Sequence, residues 1–249
     1  MNVRETAIPY YVQVAETLRR RILTGEYPEG ELIPPGQELE NEFRVSNITI
    51  RKALELLTQD GILQRKRGVG TVVPRLERDV VTFELGGSFH RLVSSLEKLP
   101  LEMEVLEIAV VSCPERVRRM MGSDPEKKIW RMKKIRRHHG IPICYYVHYS
   151  DGLLCQNLTK ERAEKDNFVR VFQEITKLKL VSMEQRLEAA VADLDLSNML
   201  QLRFGAPLLF VENCYFVTGH KAVILTQIYY RGDKCAYTAR TDLTIDAEI

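Results

Sequence analysis

Residues 37–54 read Gln-Glu-Leu-Glu-Asn-Glu-Phe-Arg-Val-Ser-Asn-Ile-Thr-Ile-Arg-Lys-Ala-Leu, and this stretch decides the fold of the first half of the chain. Leu39 and Phe43 lie four residues apart and predict a short helix. After a break at Val45 and Ser46, apolar residues return at helical spacing and predict a second helix, for which Ser46 is an N-cap candidate. Two short helices joined by a tight break are typical of a helix-turn-helix, whose second helix presents its first turns to DNA.

The flanking sequence completes a small unit around this motif. Residues 10–23 carry apolar side chains at the i, i+3, i+4, i+7 spacing of an amphipathic helix, which Gly25 ends. Residues 62–73 hold two short apolar runs on either side of a basic tip and predict a β-hairpin, after which Pro74 ends the unit. Three helices and a hairpin within residues 1–74 predict a winged helix.

Two groups of polar residues in this unit predict contact with DNA. One group lies on the outer face of the second motif helix, away from its apolar stripe. The other forms the hairpin tip, where residues 61–75 contain four Lys or Arg and no acid, a local charge that favours salt-sensitive phosphate contacts. A solvated helix face beside a charged turn is the alternative interpretation. The predicted DNA-contacting residues are Ser46, Asn47, Thr49, Arg51, Lys66, Arg67 and Gly68.

Composition limits what the whole chain can do. Among 249 residues, 36 Lys and Arg stand against 34 Asp and Glu, and the formal charge of +2 excludes a histone-like polycation. No apolar run is long enough for a transmembrane helix, and the N-terminus lacks the apolar core of a secretory signal, so we expect no membrane partner. Five scattered cysteines without Cys-x-x-Cys spacing predict reduced thiols and a cytoplasmic location.

Groups that would support catalysis or hold a metal are sparse. The sequence has no Gly-rich phosphate loop and no Cys/His nucleophile constellation, so it predicts neither a cofactor nor an enzyme. His138, His139 and His148 are the candidates for a metal site, but adjacent histidines at a turn are more often solvated, and we predict no metal.

The second half of the chain has a different pattern of apolar residues, which is typical of strands. Residues 75–82 are charged and lack a strong period, which predicts a linker. Sequential strands joined by short turns then favour an α+β domain, in which a mostly antiparallel sheet carries helices. The predicted strands span residues 104–112, 127–138, 142–149, 181–192, 208–217, 221–231 and 234–242, and the predicted helices span 114–122, 159–165, 167–177 and 195–203.

The GntR family of bacterial winged-helix regulators resembles this chain across most of residues 9–74, through Tyr11-Val12-Gln13-Val14, Gly25-Glu26-Tyr27-Pro28-Glu29-Gly30 and Gly68-Val69-Gly70-Thr71-Val72-Val73. The UTRA effector domain of the HutC subfamily, similar in fold to chorismate lyase, resembles the second half through Arg136 with Gly140-Ile141-Pro142, Gly205-Ala206-Pro207-Leu208-Leu209 and Tyr229-Tyr230-Arg231-Gly232-Asp233. The resemblance implies an effector-controlled transcription factor, usually a homodimer. Its winged helix would span residues 1–74, its linker 75–82 and its effector-binding and dimerisation domain 83–249.

The first half departs from the GntR pattern at three positions. Pro35 replaces a capping Ser, which removes half of a capping box at a cost of about 1 kcal/mol. Gln37 and Asn47 stand where the family usually has Arg. Because Arg suits guanine whereas Gln and Asn suit adenine, the resemblance implies that both residues contact DNA at an operator shifted toward A·T. Loss of DNA binding is the alternative, against which Thr49, Arg51 and the intact hairpin tip argue.

The second half contains candidate effector-binding residues. Lys134 and Arg136 lie two apart in a predicted strand and therefore project from one face, together with Trp130 and Met132. A cation pair beside an aromatic surface suits an anionic head on an organic body, although a solvated strand face is the alternative. The resemblance implies a pocket for small, often anionic metabolites and adds Ser88, Phe89 and His90 in a bordering loop, Asn167 at a helix start and Tyr230 in the wall.

Two further departures from the family pattern restrict the class of ligand. Amino-sugar-phosphate sensors of this family usually carry Glu at two pocket positions, where this chain has Tyr146 and Ile224. These replacements make the pocket less polar and disfavour a hydroxyl-rich sugar. We therefore expect an anionic ligand with a substantial apolar or aromatic body, sensed by a DNA-binding regulator. An enzyme on a chorismate-lyase-like fold and a ligand-binding dimer that has lost DNA binding are the alternative functions.

Overall fold

The chain folds as two units, Met1–Arg78 and Asp79–Ile249, and each unit has its own apolar core. The computed structural model describes residues 8–75, 80–85, 101–122, 124, 126–151, 155, 157–165 and 167–240. Among these residues, no helix is long and apolar enough to cross a membrane.

Residues 8–75 form the predicted winged helix. The helices α1 and α3 can bury their apolar stripes only against each other and against α2, because each stripe covers one side of a short helix. Their shared core is built from Val14, Leu18 and Ile22 of α1, Leu39 of α2, and Ile50, Leu54 and Leu57 of α3. The elements are α1 (Tyr10–Leu23), α2 (Gly36–Phe43), α3 (Asn47–Gln59), β1 (Gln64–Lys66) and β2 (Gly70–Val72).

A tight turn joins α2 to α3 and sets the direction of the second helix. Arg44 adopts a left-handed conformation with φ 53° at the end of α2, and the N–H of Val45 donates to the carbonyl of Glu40 at 3.3 Å. Ser46 then begins α3, where its Oγ accepts from the backbone N–H of Thr49. This arrangement satisfies backbone donors that a helix start leaves free.

The second unit is a six-stranded antiparallel sheet in the order β4-β5-β6-β9-β8-β7. Strands close in sequence pair through short turns, while the central strand β6 pairs with β9, which follows it by more than 70 residues. The mostly antiparallel α+β prediction is therefore confirmed. The strands are β4 (Leu101–Ser112), β5 (Lys128–His138), β6 (Ile141–Ser150), β7 (Leu180–Val191), β8 (Pro207–Val217) and β9 (Lys221–Arg231).

A separate pair of parallel strands was not predicted. The strand β3 (Val81–Leu85) pairs in parallel with β10 (Cys235–Ala239), in the register Phe83 to Tyr237. Val81 and Thr82 therefore belong to a strand of the second unit, where the sequence analysis placed the end of a linker. Their partner strand lies at the far end of the chain, so the residues near Val81 and Thr82 do not indicate this pairing.

Helices and the parallel strand pair cover the two faces of the large sheet. One face packs against α4 (Glu115–Met121) and α7 (Leu194–Leu200), and the other packs against α5 (Lys160–Lys165) and α6 (Phe168–Thr176). On this second face, an apolar cluster around Trp130 and Ile224 lies toward one end of the strands, and a cluster around Tyr146 and Tyr230 lies toward the other. Strand register places Lys134, His148 and Thr226 between these two clusters.

Candidate DNA-binding and effector-binding sites

The start of α3 presents the residues predicted to contact bases. Asn47 is exposed, and its side-chain amide donates to the Glu40 carboxylate at 2.5 Å. Ser46 and Thr49 place their hydroxyl oxygens 3.0 Å apart. Arg51 is exposed one turn farther along α3. Because one N–H of Asn47 Nδ2 is engaged by the Glu40 carboxylate, Oδ1 and the second N–H are the groups that can face a base.

The hairpin tip between β1 and β2 presents exposed cations. Lys66, Arg67 and Gly68 are all exposed, and Gly68 supplies the positive φ of 76° that the turn requires. Neither Lys66 nor Arg67 forms an ion pair with any carboxylate in the described part of the chain. The arginines of α1 behave differently, because Arg19 pairs with Asp60 and Arg21 with Glu42. The hairpin tip therefore presents exposed positive charge to which phosphates are attracted.

Lys134 and Arg136 lie together on the sheet face that packs against α5 and α6. The sequence predicted that they share one face of a strand. Lys134 is only 2% exposed, and its Nζ donates to the carbonyl of Ala163 on α5 at 2.8 Å. Burial and the neighbouring Arg136 charge lower the pKa of Lys134 to about 7. Arg136 places its guanidinium 5.2 Å from the centre of the Tyr146 ring. Its Nη1 is buried and has no hydrogen-bond partner among the described residues.

His148 and Thr226 adjoin this cation pair and were not among the predicted effector-binding residues. His148 is 5% exposed, and its Nδ1 lies 2.9 Å from Thr226 Oγ1. Its Nε2 is buried and meets no partner within the described ranges. Burial first, and then the charges of Lys134 and Arg136, hold the pKa of His148 well below its ordinary value. The alternation of strand β6, which puts His148 on the same face as Tyr146, is the signal that the sequence contained.

Aromatic rings form the rest of this surface. Tyr146 is buried beside Tyr230, with ring centres 6.5 Å apart. Tyr230 also packs on Phe83 of β3 at 4.9 Å and on Tyr237 of β10 at 5.7 Å. The parallel strand pair thus contributes two aromatic side chains to the site, which sequence reasoning did not find.

The remaining predicted effector-binding residues differ in their surroundings. Asn167 caps α6, and its Oδ1 accepts from the N–H groups of Val169 and Arg170 at 3.0 and 3.3 Å. That oxygen is engaged by its own helix, which leaves the amide nitrogen as the group able to donate to a ligand. Ile224 is fully buried in the apolar cluster with Trp130. Ser88, Phe89 and His90 lie outside the described residues.

Comparison with known families gives a match for each unit. The model described as "Bacterial regulatory proteins, gntR family" matches residues 10–73. The model of the UTRA domain matches residues 97–236, which is more than half of the chain. Both matches agree with the resemblance on which the sequence analysis relied.

Individual relatives are similar over nearly the whole chain. The HTH-type transcriptional repressor NagR of Bacillus subtilis is 23% identical over 245 residues, which are 97% of this chain and 99% of that protein. The mannosyl-D-glycerate transport/metabolism system repressor MngR of Escherichia coli is 26% identical over 85% of this chain and 87% of its own length. The crystal structure of the possible transcriptional regulator YydK from Bacillus subtilis superimposes with a TM-score of 0.57 at 22% identity, covering 94% of this chain and all of that one, and supports the fold.

Proposed function

This chain belongs to the GntR-type bacterial regulators that carry a UTRA domain, and from that premise we propose that its second unit senses an organic anion with an apolar or aromatic body. The chain is a ligand-responsive DNA-binding regulator rather than an enzyme, since its relatives are transcriptional regulators. We further propose that it acts as a homodimeric repressor in the cytoplasm. In this scheme effector and operator favour different states of one conformational equilibrium, so that each changes the affinity for the other.

The buried Nη1 of Arg136, which has no hydrogen-bond partner among the residues that the structure describes, is the observation that carries the proposal. A guanidinium donor without an acceptor costs folding free energy, and a buried cation costs more unless a negative group faces it. The Glu164 carboxylate interacts with Lys134 and also accepts from the backbone N–H of Val105 at 2.9 Å. An anionic ligand group would satisfy Arg136 and repay part of the cost of burying both cations.

The apolar part of the ligand is inferred from the aromatic groups around Arg136. Tyr146, Tyr230 and Phe83 offer ring faces, whereas a sugar would need acceptors for several hydroxyl groups. Tyr146 already uses one face of its ring for the Arg136 guanidinium. A phosphate or carboxylate attached to an aromatic ring or a short alkyl chain fits this combination of one cation pair and three rings.

A thermal-shift panel on the full chain tests the ligand class. We expect phenyl phosphate, phenylacetate or octanoate to raise the melting temperature, and glucosamine 6-phosphate to leave it unchanged. Arg136→Met should abolish the rise. Arg137→Met is the matched control, because Arg137 is the next residue, faces away and pairs with Glu104 at 3.2 Å. Stabilisation by the sugar phosphate, with no response to the aromatic and alkyl anions, would overturn the proposal.

For the operator, we propose that Asn47 and Gln37 favour A·T pairs at the positions they contact. The Glu40 carboxylate holds Asn47 Nδ2, so Asn47 Oδ1 would accept from the amino group of adenine in the major groove. Selection of binding sites from random DNA tests this. The wild type should recover A·T at those positions, and the Asn47→Arg and Gln37→Arg variants should shift the recovered base toward guanine. Recovery of guanine by the wild type would contradict the proposal.

The homodimer is tested separately by sedimentation equilibrium of the purified chain. A mass of about twice 28.8 kDa is expected, since paired half-sites require two winged helices. A monomer that binds a single half-site with full affinity would refute this part of the proposal.

A further inference from the structure

His148 occupies a position where an apolar residue would pack with less difficulty. The residue lies in the central strand β6, between β5 and β9, and its ring is 4.4 Å from the Phe168 ring. On the neighbouring strand its register partner is the fully buried Met132. A phenyl ring in the same place would keep these contacts and would bury no polar nitrogen. The imidazole is therefore costly to the fold unless one of its nitrogens serves another purpose.

Thr226 engages one of those nitrogens and thereby orients the other. The Thr226 hydroxyl lies 2.9 Å from His148 Nδ1 across the β6–β9 pairing. If the hydroxyl donates to Nδ1, the neutral ring carries its hydrogen on Nε2. Nε2 is then a fixed donor, buried and without an acceptor among the described residues. It shares its sheet face with Lys134 and Arg136, whose charges act on the imidazole.

We propose that His148 is a ligand-contacting residue of the effector site, in which Nε2–H donates to the same anionic group that Arg136 binds. Thr226 is its positioning residue, because it fixes the tautomer without touching the ligand. This inference rests on the proposed function, and it adds a neutral donor beside the cation pair. A donor of this kind selects for an anion with an acceptor oxygen directed away from Arg136, as in a phosphate or a carboxylate.

Variants of His148 separate a binding role from a structural one. His148→Phe should weaken the binding of phenyl phosphate to the full chain by 10-fold to 100-fold in calorimetry. His148→Gln, which places an amide N–H near the Nε2 position, should retain affinity within about threefold of the wild type. Thr226→Val should weaken binding by about threefold to tenfold, and combining it with His148→Phe should add no further loss. The control is His220→Phe, at an exposed residue that stacks on Phe216.

A spectroscopic measurement on the wild type tests the same inference and does not require any variant to fold. In protein labelled with ¹⁵N-histidine, saturating phenyl phosphate should shift one buried Nε2 signal strongly and leave the His220 signal in place. Unchanged histidine signals, or unchanged affinity in His148→Phe, would overturn the inference if phenyl phosphate still binds and Arg136→Met still weakens it. If the wild type binds neither phenyl phosphate nor phenylacetate, the proposed function fails first and this inference fails with it.

Discussion

Lys134→Met tests how much the burial of the Lys134 amine costs in folding free energy. The pKa of Lys134 falls from the ordinary value of 10.5 to about 7 because the amine is buried and lies near Arg136. That difference corresponds to roughly 5 kcal/mol of folding free energy at pH values where the folded protein keeps the proton. The substitution also removes the hydrogen bond to Ala163, worth about 1 kcal/mol. We expect the variant to be more stable than the wild type by about 2–4 kcal/mol at pH 6.

The sign of the pH dependence follows from the same values. Between about pH 7 and pH 10.5 the unfolded chain holds the Lys134 proton and the folded chain does not, so the unfolded state binds more protons. Wild-type stability therefore rises with pH across this window as far as Lys134 contributes, and the variant lacks that rise. The advantage of Lys134→Met should be complete below pH 7 and should disappear as the pH approaches 10.5.

Urea denaturation of the full chain measures this effect, because the single tryptophan, Trp130, is buried in the second unit and reports its unfolding. Lys133→Met is the matched control, since Lys133 is the preceding residue, faces away and has its Nζ 3.2 Å from Glu107. That control should change stability by less than about 1 kcal/mol. A Lys134→Met protein that is less stable than the wild type at pH 6, or that keeps the wild-type rise with pH, would refute the reasoning.

Three further substitutions test local features. Ser46→Ala should lower the stability of the first unit by about 0.5–1 kcal/mol, because Thr49 N–H loses its side-chain acceptor and keeps only the Ser46 carbonyl oxygen at 2.9 Å. Circular dichroism on heating should detect this, and an unchanged transition would count against the cap. Lys66→Ala should weaken operator binding and reduce the slope of log affinity against log salt by about 0.9 in fluorescence anisotropy, and an unchanged slope would remove Lys66 from the phosphate contacts. Gly232→Ala should destabilise the second unit by about 1–3 kcal/mol, because the added Cβ would lie 2.9 Å from the Pro207 carbonyl oxygen, and wild-type unfolding in urea would contradict this.

The winged helix could be predicted because its information is local. Helical spacing, a capping serine and a basic hairpin all lie within a few residues of one another. The cap at Ser46 and the α3 stripe appear in the structure where the sequence put them. The Asn47–Glu40 hydrogen bond could not be predicted, since it depends on how α2 and α3 cross.

In the second unit, prediction failed where pairing is remote. Val81 and Phe83 alternate with polar residues and are buried, which is a strand pattern. The charged residues just before them masked that pattern, and their partner strand β10 lies some 150 residues away. From the sequence, His148 is only a candidate metal ligand beside His138 and His139. Its defining neighbour, Thr226, is 78 residues distant in sequence and becomes adjacent only through the β6–β9 pairing.

Two groups of cations contribute to the net charge of +2, and one group is exposed to water while the other is buried. Lys66 and Arg67 are exposed, so water screens them, they cost the fold little, and they can act on DNA only where several phosphates are close. Lys134 and Arg136 lie on a covered sheet face, where screening is weak, and burial there opposes the charge of Lys134, whose pKa falls to about 7. If these cations bind the proposed effector, an anion would offset the cost of burying Lys134. The proposed function therefore predicts that ligand binding and folding stability are coupled through the same buried charge.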